Sequence, residues 1–216
     1  MTSKQQKPHS TSTRIAVLLA FILFLPAIAA AQVYTVISFD PKGDGRDASL
    51  ADAAQLSYRH DKEQDILWFR IALYGKANEQ TFGVNLVIDT GGDEASKLNW
   101  WGGNKTFKFD KLVTAAVTRG EKGYEGTIGV TDAAGISQQR MNNLRQNNLQ
   151  TRVEGDSILI GIKRTDITDK SKMNLLVAVG SKEQSNDEMP NVGSAVLDLA
   201  TAKPGVREID VGRNNF

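Results

Sequence analysis

The chain contains no cysteine. Its absence excludes disulfides, CxxC redox chemistry, thiolate zinc sites and cysteine nucleophiles. Histidine is nearly absent too: two residues leave little for an imidazole metal site or a Ser-His-Asp triad. Neither sign of charge dominates, since 26 basic and 25 acidic side chains among 216 residues give a net of +1. A nucleic-acid-binding surface needs a basic excess that this composition lacks. What remains is 40% hydrophobic with 19 glycines, the composition of an ordinary globular protein.

The apolar residues are unevenly spread. Residues 1–14 carry Lys4, Lys7, His9 and Arg14 with no acid. Residues 15–25 (IAVLLAFILFL) are unbroken apolar sequence, about half the ~20 residues that span a bilayer. Pro26 and the small-residue stretch 27–31 come next. Basic, apolar, then A-x-A is the layout of a secretory signal peptide, with cleavage expected near Ala31. The competing reading, a retained anchor, needs a longer apolar core. Without cysteine an amino-terminal lipid has no attachment point. Cleavage removes three basic residues and no acid, which leaves 23 basic against 25 acidic side chains, a net of −2. His60 becomes the one histidine. The expectation is a single domain over residues 32–216, secreted or periplasmic in a bacterial envelope, with no stable membrane insertion after cleavage.

Period-two alternation dominates the mature chain. Residues 33–39 are β-rich, and Ala54, Leu56 and Tyr58 alternate before the charged turn 61–65. In residues 66–74 (ILWFRIALY), Leu67, Phe69, Ile71 and Leu73 share one face. Trp68, Arg70, Ala72 and Tyr74 share the other. Phe82, Val84, Leu86 and Ile88 alternate with Gly83, Asn85, Val87 and Asp89. Residues 112–118 and 124–130 flank a Gly-containing turn, and residues 149–153 and 158–162 flank Glu154-Gly155-Asp156; both read as hairpins. Residues 173–179 form a compact buried strand, with weaker runs at 195–199 and 208–211. Nine or ten short strands predict an all-β fold, an antiparallel β-sandwich with jelly-roll or immunoglobulin-like layers. One or two short helices are expected, at 135–147 and at 165–170 with Thr165 or Asp166 as N-cap. A transmembrane barrel would need longer, uninterrupted alternation.

Three groups of residues point to chemistry. Residues 40–47 (DPKGDGRD) place Asp40, Asp44 and Asp47 around two glycines, an oxygen-rich loop suited to a hard cation. Calcium takes six to eight oxygens, so a second segment such as Asp89 or Asp93 must contribute. The competing reading is that Asp and Gly are turn formers. The second group is Asn99-Trp100-Trp101-Gly102-Gly103-Asn104. An exposed indole stacks on the apolar face of a sugar ring, and Asn amides bind hydroxyls. The alternative has one tryptophan plugging the core. Trp68 and Tyr74, which share a strand face with Arg70, extend this aromatic platform if that face is open; the alternative has loops covering them. The third group, Asn142, Asn143, Asn147 and Asn148 with Arg140, Arg145 and Arg152, reads as a solvated face. No carboxylates fall in a pattern that singles out an acid/base pair, and His60 reads as a solvated turn residue.

The order Asp40-Pro41-x-Gly43-Asp44, then Asp52-Ala53, then LWFRIALYG and FGVNLVIDTGGD resembles the DOMON-like sandwiches. These are related to family 9 carbohydrate-binding modules and to the carboxy-terminal binding module of glucodextranase. The resemblance covers residues 33–200, with its sharp features in 38–93. It implies an extracytoplasmic sandwich that binds sugars, often with structural calcium near the first loop. Carried over by position, the metal candidates are Asp40, Asp44 and Asp89. Some relatives bind haem, but His60 has no local signature joining it to Met141, Met173 or Met189, so no haem is expected. The expected function is a non-catalytic domain binding carbohydrate or another polar small ligand through Trp100, Trp101, Asn99, Asn104, Trp68 and Arg70. Two other classes remain: a carboxylate-dependent glycan-degrading enzyme, and a structural envelope protein that binds a protein partner.

Overall fold

A computed structural model describes residues 33–75, 81–120, 123–134, 150–181 and 185–201, all within one compact unit, Val33–Phe216. The expected signal segment, the helix at 135–147, the Asn/Arg cluster at 140–148 and the strand at 208–211 lie outside the described residues.

The fold is an antiparallel β-sandwich. One sheet runs in the order β1 (Thr35–Phe39), β2 (Ala53–Asp61), β3 (Ile66–Leu73), β10 (Ser157–Lys163), β9 (Gln150–Glu154). The other runs β12 (Ser185–Met189), β11 (Lys172–Ser181), β4 (Thr81–Asp89), β7 (Lys111–Gly120), β8 (Gly123–Asp132), and β13 (Ala195–Asp198) also pairs with β11. Two-residue strands β5 (Leu98–Asn99) and β6 (Lys108–Phe109) pair separately. The described residues thus hold thirteen strands rather than nine or ten. The additional ones are too short or too polar to announce themselves by alternation. A four-residue helix, α1 (Arg164–Ile167), forms where the short helix was expected at 165–170. Its N-cap is Lys163, with no side-chain capping bond, rather than Thr165 or Asp166.

Alternation puts every second side chain into one core between the sheets. Leu67, Phe69, Ile71 and Leu73 of β3 meet Val84, Leu86 and Ile88 of β4 there, with Ile158, Ile160 and Ile162 of β10 and Leu175, Val177 and Val179 of β11. Both expected hairpins form, β7–β8 with Gly120 opposite Gly123 and β9–β10 with Glu154 opposite Ser157.

Two departures from regular pairing shape one end of the sandwich. In β2 the register slips between Ala53 and Gln55, so this bulge frees the Ala53 N–H and the Ala54 carbonyl from the ladder. In β12 the register slips at Asn186, opposite Val179 and Gly180. Asn186 therefore leaves the ladder and faces the loop after β1. The core itself is closely packed, so truncating its centre leaves a cavity. Phe69→Ala is expected to cost about 3–5 kcal/mol, read as a lower denaturant midpoint with an unchanged slope.

Candidate functional site

Between β4 and β7 the chain makes an excursion over the outer face of the β4–β7–β11 sheet. Asp110 closes it, accepting hydrogen bonds from Thr90 N (3.0 Å), Thr90 Oγ1 (2.6 Å) and Gly92 N (3.2 Å). Trp100, Phe107 and Phe109 then pack on Val87, Leu112, Leu176 and Ala178, forming a second apolar cluster. Among the described residues, this cover reaches only the rows of Val87, Leu112 and Leu176. The next rows of the face are small: Gly83 pairs with Ala116 and Gly180, and Asn85 pairs with Thr114 and Ala178.

Beside this cover is a groove of about 350 Å³. Gly83, Ala116, Ala178 and Gly180 line it beside Asn85 and Thr114. Trp101 and Arg46 also line it, with Ser181 and Ser185. Thr114 donates to Asn85 Oδ1 at 2.9 Å, which fixes the amide and leaves its N–H groups for a ligand. Trp101 is 55% exposed, whereas Trp100 is 1% exposed. The Trp101 ring lies 4.6 Å from Trp100 and 5.6 Å, edge-on, from Phe109. Its orientation is therefore set before any ligand arrives.

Glu188 of β12 holds this loop. Its carboxylate accepts the Gly103 N–H at 2.6 Å and the Asn104 N–H at 2.8 Å. Gly102 must be glycine, since a Cβ there would sit 1.8 Å from Glu188 Oε1. The Asn104 side chain donates to Gly193 O and accepts from Thr106 Oγ1, so it is a structural brace.

The tryptophan loop thus contributes Trp101 and its neighbour Gly102 to the groove. Trp100 is core because the excursion needs an apolar plug. Asn99 is exposed on β5 but does not line the groove. Trp68 lies on the opposite sheet, buried with Tyr34, Ile66 and Leu159, with the Arg59 guanidinium 6.0 Å from its ring centroid. Arg70 donates from Nε to Ser157 Oγ on that same far face. His60 meets Asp65 at 2.9 Å instead of standing in solvent alone.

A second cluster adjoins the first. Asp40, Asp44 and Asp187 each bring a carboxylate oxygen within 4.8 Å of the others. Asp187 is fixed by the two bulges, accepting the Ala53 N–H at 2.7 Å and the Glu188 N–H at 2.7 Å. Asp40 N donates to Ala54 O, and Tyr74 Oη donates to Asp40 O at 2.6 Å. Asp52 stands beside them and accepts the Gly43 N–H. Asp40 is 5% exposed, and its Oδ2 has no hydrogen-bond partner; neither has the buried Oδ1 of Asp52. Burial, then the charges of Asp187, Asp44 and Asp52, pushes the Asp40 carboxyl up to about 8. Burial likewise pushes Asp187 up to about 6, against the two N–H groups it accepts.

Two oxygens on opposite sides of a calcium ion lie about 5 Å apart, at ~2.3–2.6 Å each from the metal. The spacing of the three carboxylates and the two orphaned oxygens therefore fit a hard divalent cation. Asp89 is not part of this set. Lys97 Nζ approaches it at 2.9 Å, Asn174 Nδ2 at 3.2 Å and Gly91 N at 2.8 Å. Burial raises its carboxyl, but these bonds outweigh it and hold the group below the usual range. The third carboxylate is Asp187, which sequence reasoning missed because β12 shows no apolar alternation. Asp47 and Asp93 serve turns, accepting from Ser49 and Ala95.

Comparison with family models, curated proteins and solved structures finds no match.

The geometry makes two properties measurable. Glu188→Ala strands two N–H groups and is expected to cost about 2–6 kcal/mol, at roughly 1–3 per buried unpaired donor. Thermal melting reads the loss. The acidic cluster gives a pH dependence in chelator. Between the ordinary carboxylate value of ~4 and about 8, folded Asp40 keeps a proton that the unfolded chain has released. Cation-free stability should therefore fall as pH rises through that window and level off above it. Denaturant midpoints at pH 5 and pH 8 check this, and Asp40→Asn should flatten the slope.

Proposed function

We propose that this protein is a non-catalytic carbohydrate-binding β-sandwich exported to the periplasm or beyond, with calcium stabilising its first loop. The observation that carries the reading is the exposed, preset ring of Trp101 at a groove of small residues, neutral hydrogen-bonding groups and the single cation Arg46. Sugars offer an apolar ring face for stacking and hydroxyls that match Asn85, Thr114, Ser181 and Ser185. Among the described residues that line the groove there is no carboxylate or imidazole. A carboxylate pair for glycan cleavage therefore draws no support from this surface. No helix among the described residues is long and apolar enough to cross a membrane. The export part of the proposal rests on the basic–apolar–AxA layout of the first 31 residues.

The test is affinity electrophoresis through a panel of soluble plant, fungal and bacterial polysaccharides. At least one should retard the protein. Trp101→Ala should weaken retardation at least tenfold, about 1.4 kcal/mol, while the melting temperature holds. Trp100→Ala should instead lower the melting temperature. Calcium should raise that temperature and chelator should lower it. A panel without any retardation ends the carbohydrate reading.

A further inference from the structure

The acidic cluster and the groove share three structural ties. Asp187 and Glu188 are neighbours on β12 whose side chains leave opposite faces of the strand. Asp187 joins the cluster, Glu188 holds the Trp101 loop, and the Glu188 N–H donates to Asp187 Oδ1. Asp44 precedes Arg46 by two residues, and Arg46 lines the groove. Its backbone N donates to Asn186 O at 3.0 Å. The loop is pressed on this bulge, where a Cβ at Gly45 would lie 2.7 Å from Asn186 Nδ2.

We propose that Asp40, Asp44 and Asp187 form a hard-divalent-cation site whose occupancy sets the ligand affinity of the Trp101 groove. The cluster has a mark of a ligand beyond its charge: Asp40, 5% exposed, aims an unpartnered carboxylate oxygen into it. Of the three carboxylates, Asp40 adjoins the β2 bulge and Asp187 belongs to β12, and both are buried. Asp44 is exposed on the connecting loop, where Asn191 Nδ2 donates to it at 2.6 Å. Without a cation, repulsion among the carboxylates is relieved by outward movement of Asp44, the least constrained of them. Arg46 stays tied to the β12 bulge through its backbone N–H, so the loosened cluster reaches the groove through Asp187 and its neighbour Glu188, which holds the Trp101 loop. With a cation bound, Asp44 and Asp187 would be drawn together, and Glu188 would hold the Trp101 loop at the groove edge. By linkage, ligand in the groove raises cation affinity by the same factor.

The inference rests on the carbohydrate reading only for the identity of the groove's ligand, and the experiment separates the two. Calcium chloride is titrated into the full chain by calorimetry, with magnesium chloride as a size control. Acrylamide quenching of tryptophan fluorescence is measured in calcium and in EDTA. Trp101 is the one exposed residue of three tryptophans, so quenching reports its surroundings. Trp101→Phe supplies the baseline. Retardation by any polysaccharide that binds is measured under both conditions.

The expected result is calcium binding, a calcium-dependent change in Trp101 quenching, and retardation about 5–150-fold stronger with calcium, the usual range of coupling between sites. Asp44→Asn, an exposed change, should fold normally and lose all three responses. Absence of calcium binding overturns the proposal. Binding with quenching and retardation unchanged in EDTA also overturns it and leaves the carbohydrate reading intact. If no polysaccharide binds, the carbohydrate reading fails, and calcium-dependent quenching still upholds or overturns the link between cluster and groove.

Discussion

Three consecutive polar side chains on an edge strand, Asn186, Asp187 and Glu188, are buried, and the surface of this end of the sandwich depends on them. Each is fully engaged with a different segment. Asn186 accepts the Asp47 N–H and donates to the carbonyls of Asp47 and Ala51, which fastens the loop after β1. Asp187 reaches the opposite sheet through the Ala53 N–H, and Glu188 receives two N–H groups of the tryptophan loop. Buried polar groups are tolerated only when hydrogen-bonded, so the three loops and the strand specify one another. The bulge at Asn186 makes this possible. In a regular strand, neighbouring side chains take just two directions; the slip in register supplies a third.

The groove is a consequence of incomplete covering. A sheet in a sandwich has one face in the core, and its other face is either solvated or covered by an excursion. Here the segment between β4 and β7 covers the rows that contain Val87, Leu112 and Leu176 and stops at the rows of glycine and alanine. Large apolar residues sit where there is a cover, and small ones where there is none. The edge of the cover is Trp101, which rests on Trp100 and Phe109. The same packing that stabilises the excursion thus fixes the aromatic wall of the groove.

Much of the fold was legible in the sequence, because alternation is a direct consequence of a sheet with one buried face. The faces of β3 and the two hairpins came from residue order alone. The site was legible only in part. Asp40 and Asp44 converge as their loop implied, and the WW pair does contain a ring at a groove. Which tryptophan faces solvent depends on Val87, Phe109 and Leu176, residues from three segments whose proximity no local pattern encodes. The partner of Asp40 was misplaced for a related reason. The run ending in Asp89-Thr90-Gly91-Gly92 does make a tight turn, but Lys97, only eight residues on, takes the carboxylate. Asp187 lies in SNDEM, where nothing apolar marks a strand. Asn85 was visible as the polar member of FGVNLVID, yet its meaning depends on the glycines and alanines of its two neighbouring strands.

The two clusters differ in how their polar groups are satisfied, and that difference separates their roles. Around Glu188 both carboxylate oxygens have donors, so that anchor is complete within the protein. At Asp40 and Asp52 an oxygen on each is buried without a donor, and the groups that act most strongly on the Asp40 carboxyl are the other aspartates, with no lysine or arginine among them to offset their charge. A protein that needed only rigidity there would do better with an apolar residue of similar size, since an unpaired buried carboxylate costs several kcal/mol. The unpaired oxygens of Asp40 and Asp52, kept against that cost, fit an external group that completes the site. The cluster and the groove meet through adjacent residues of one strand, so the proposed coupling between them needs no long path through the core.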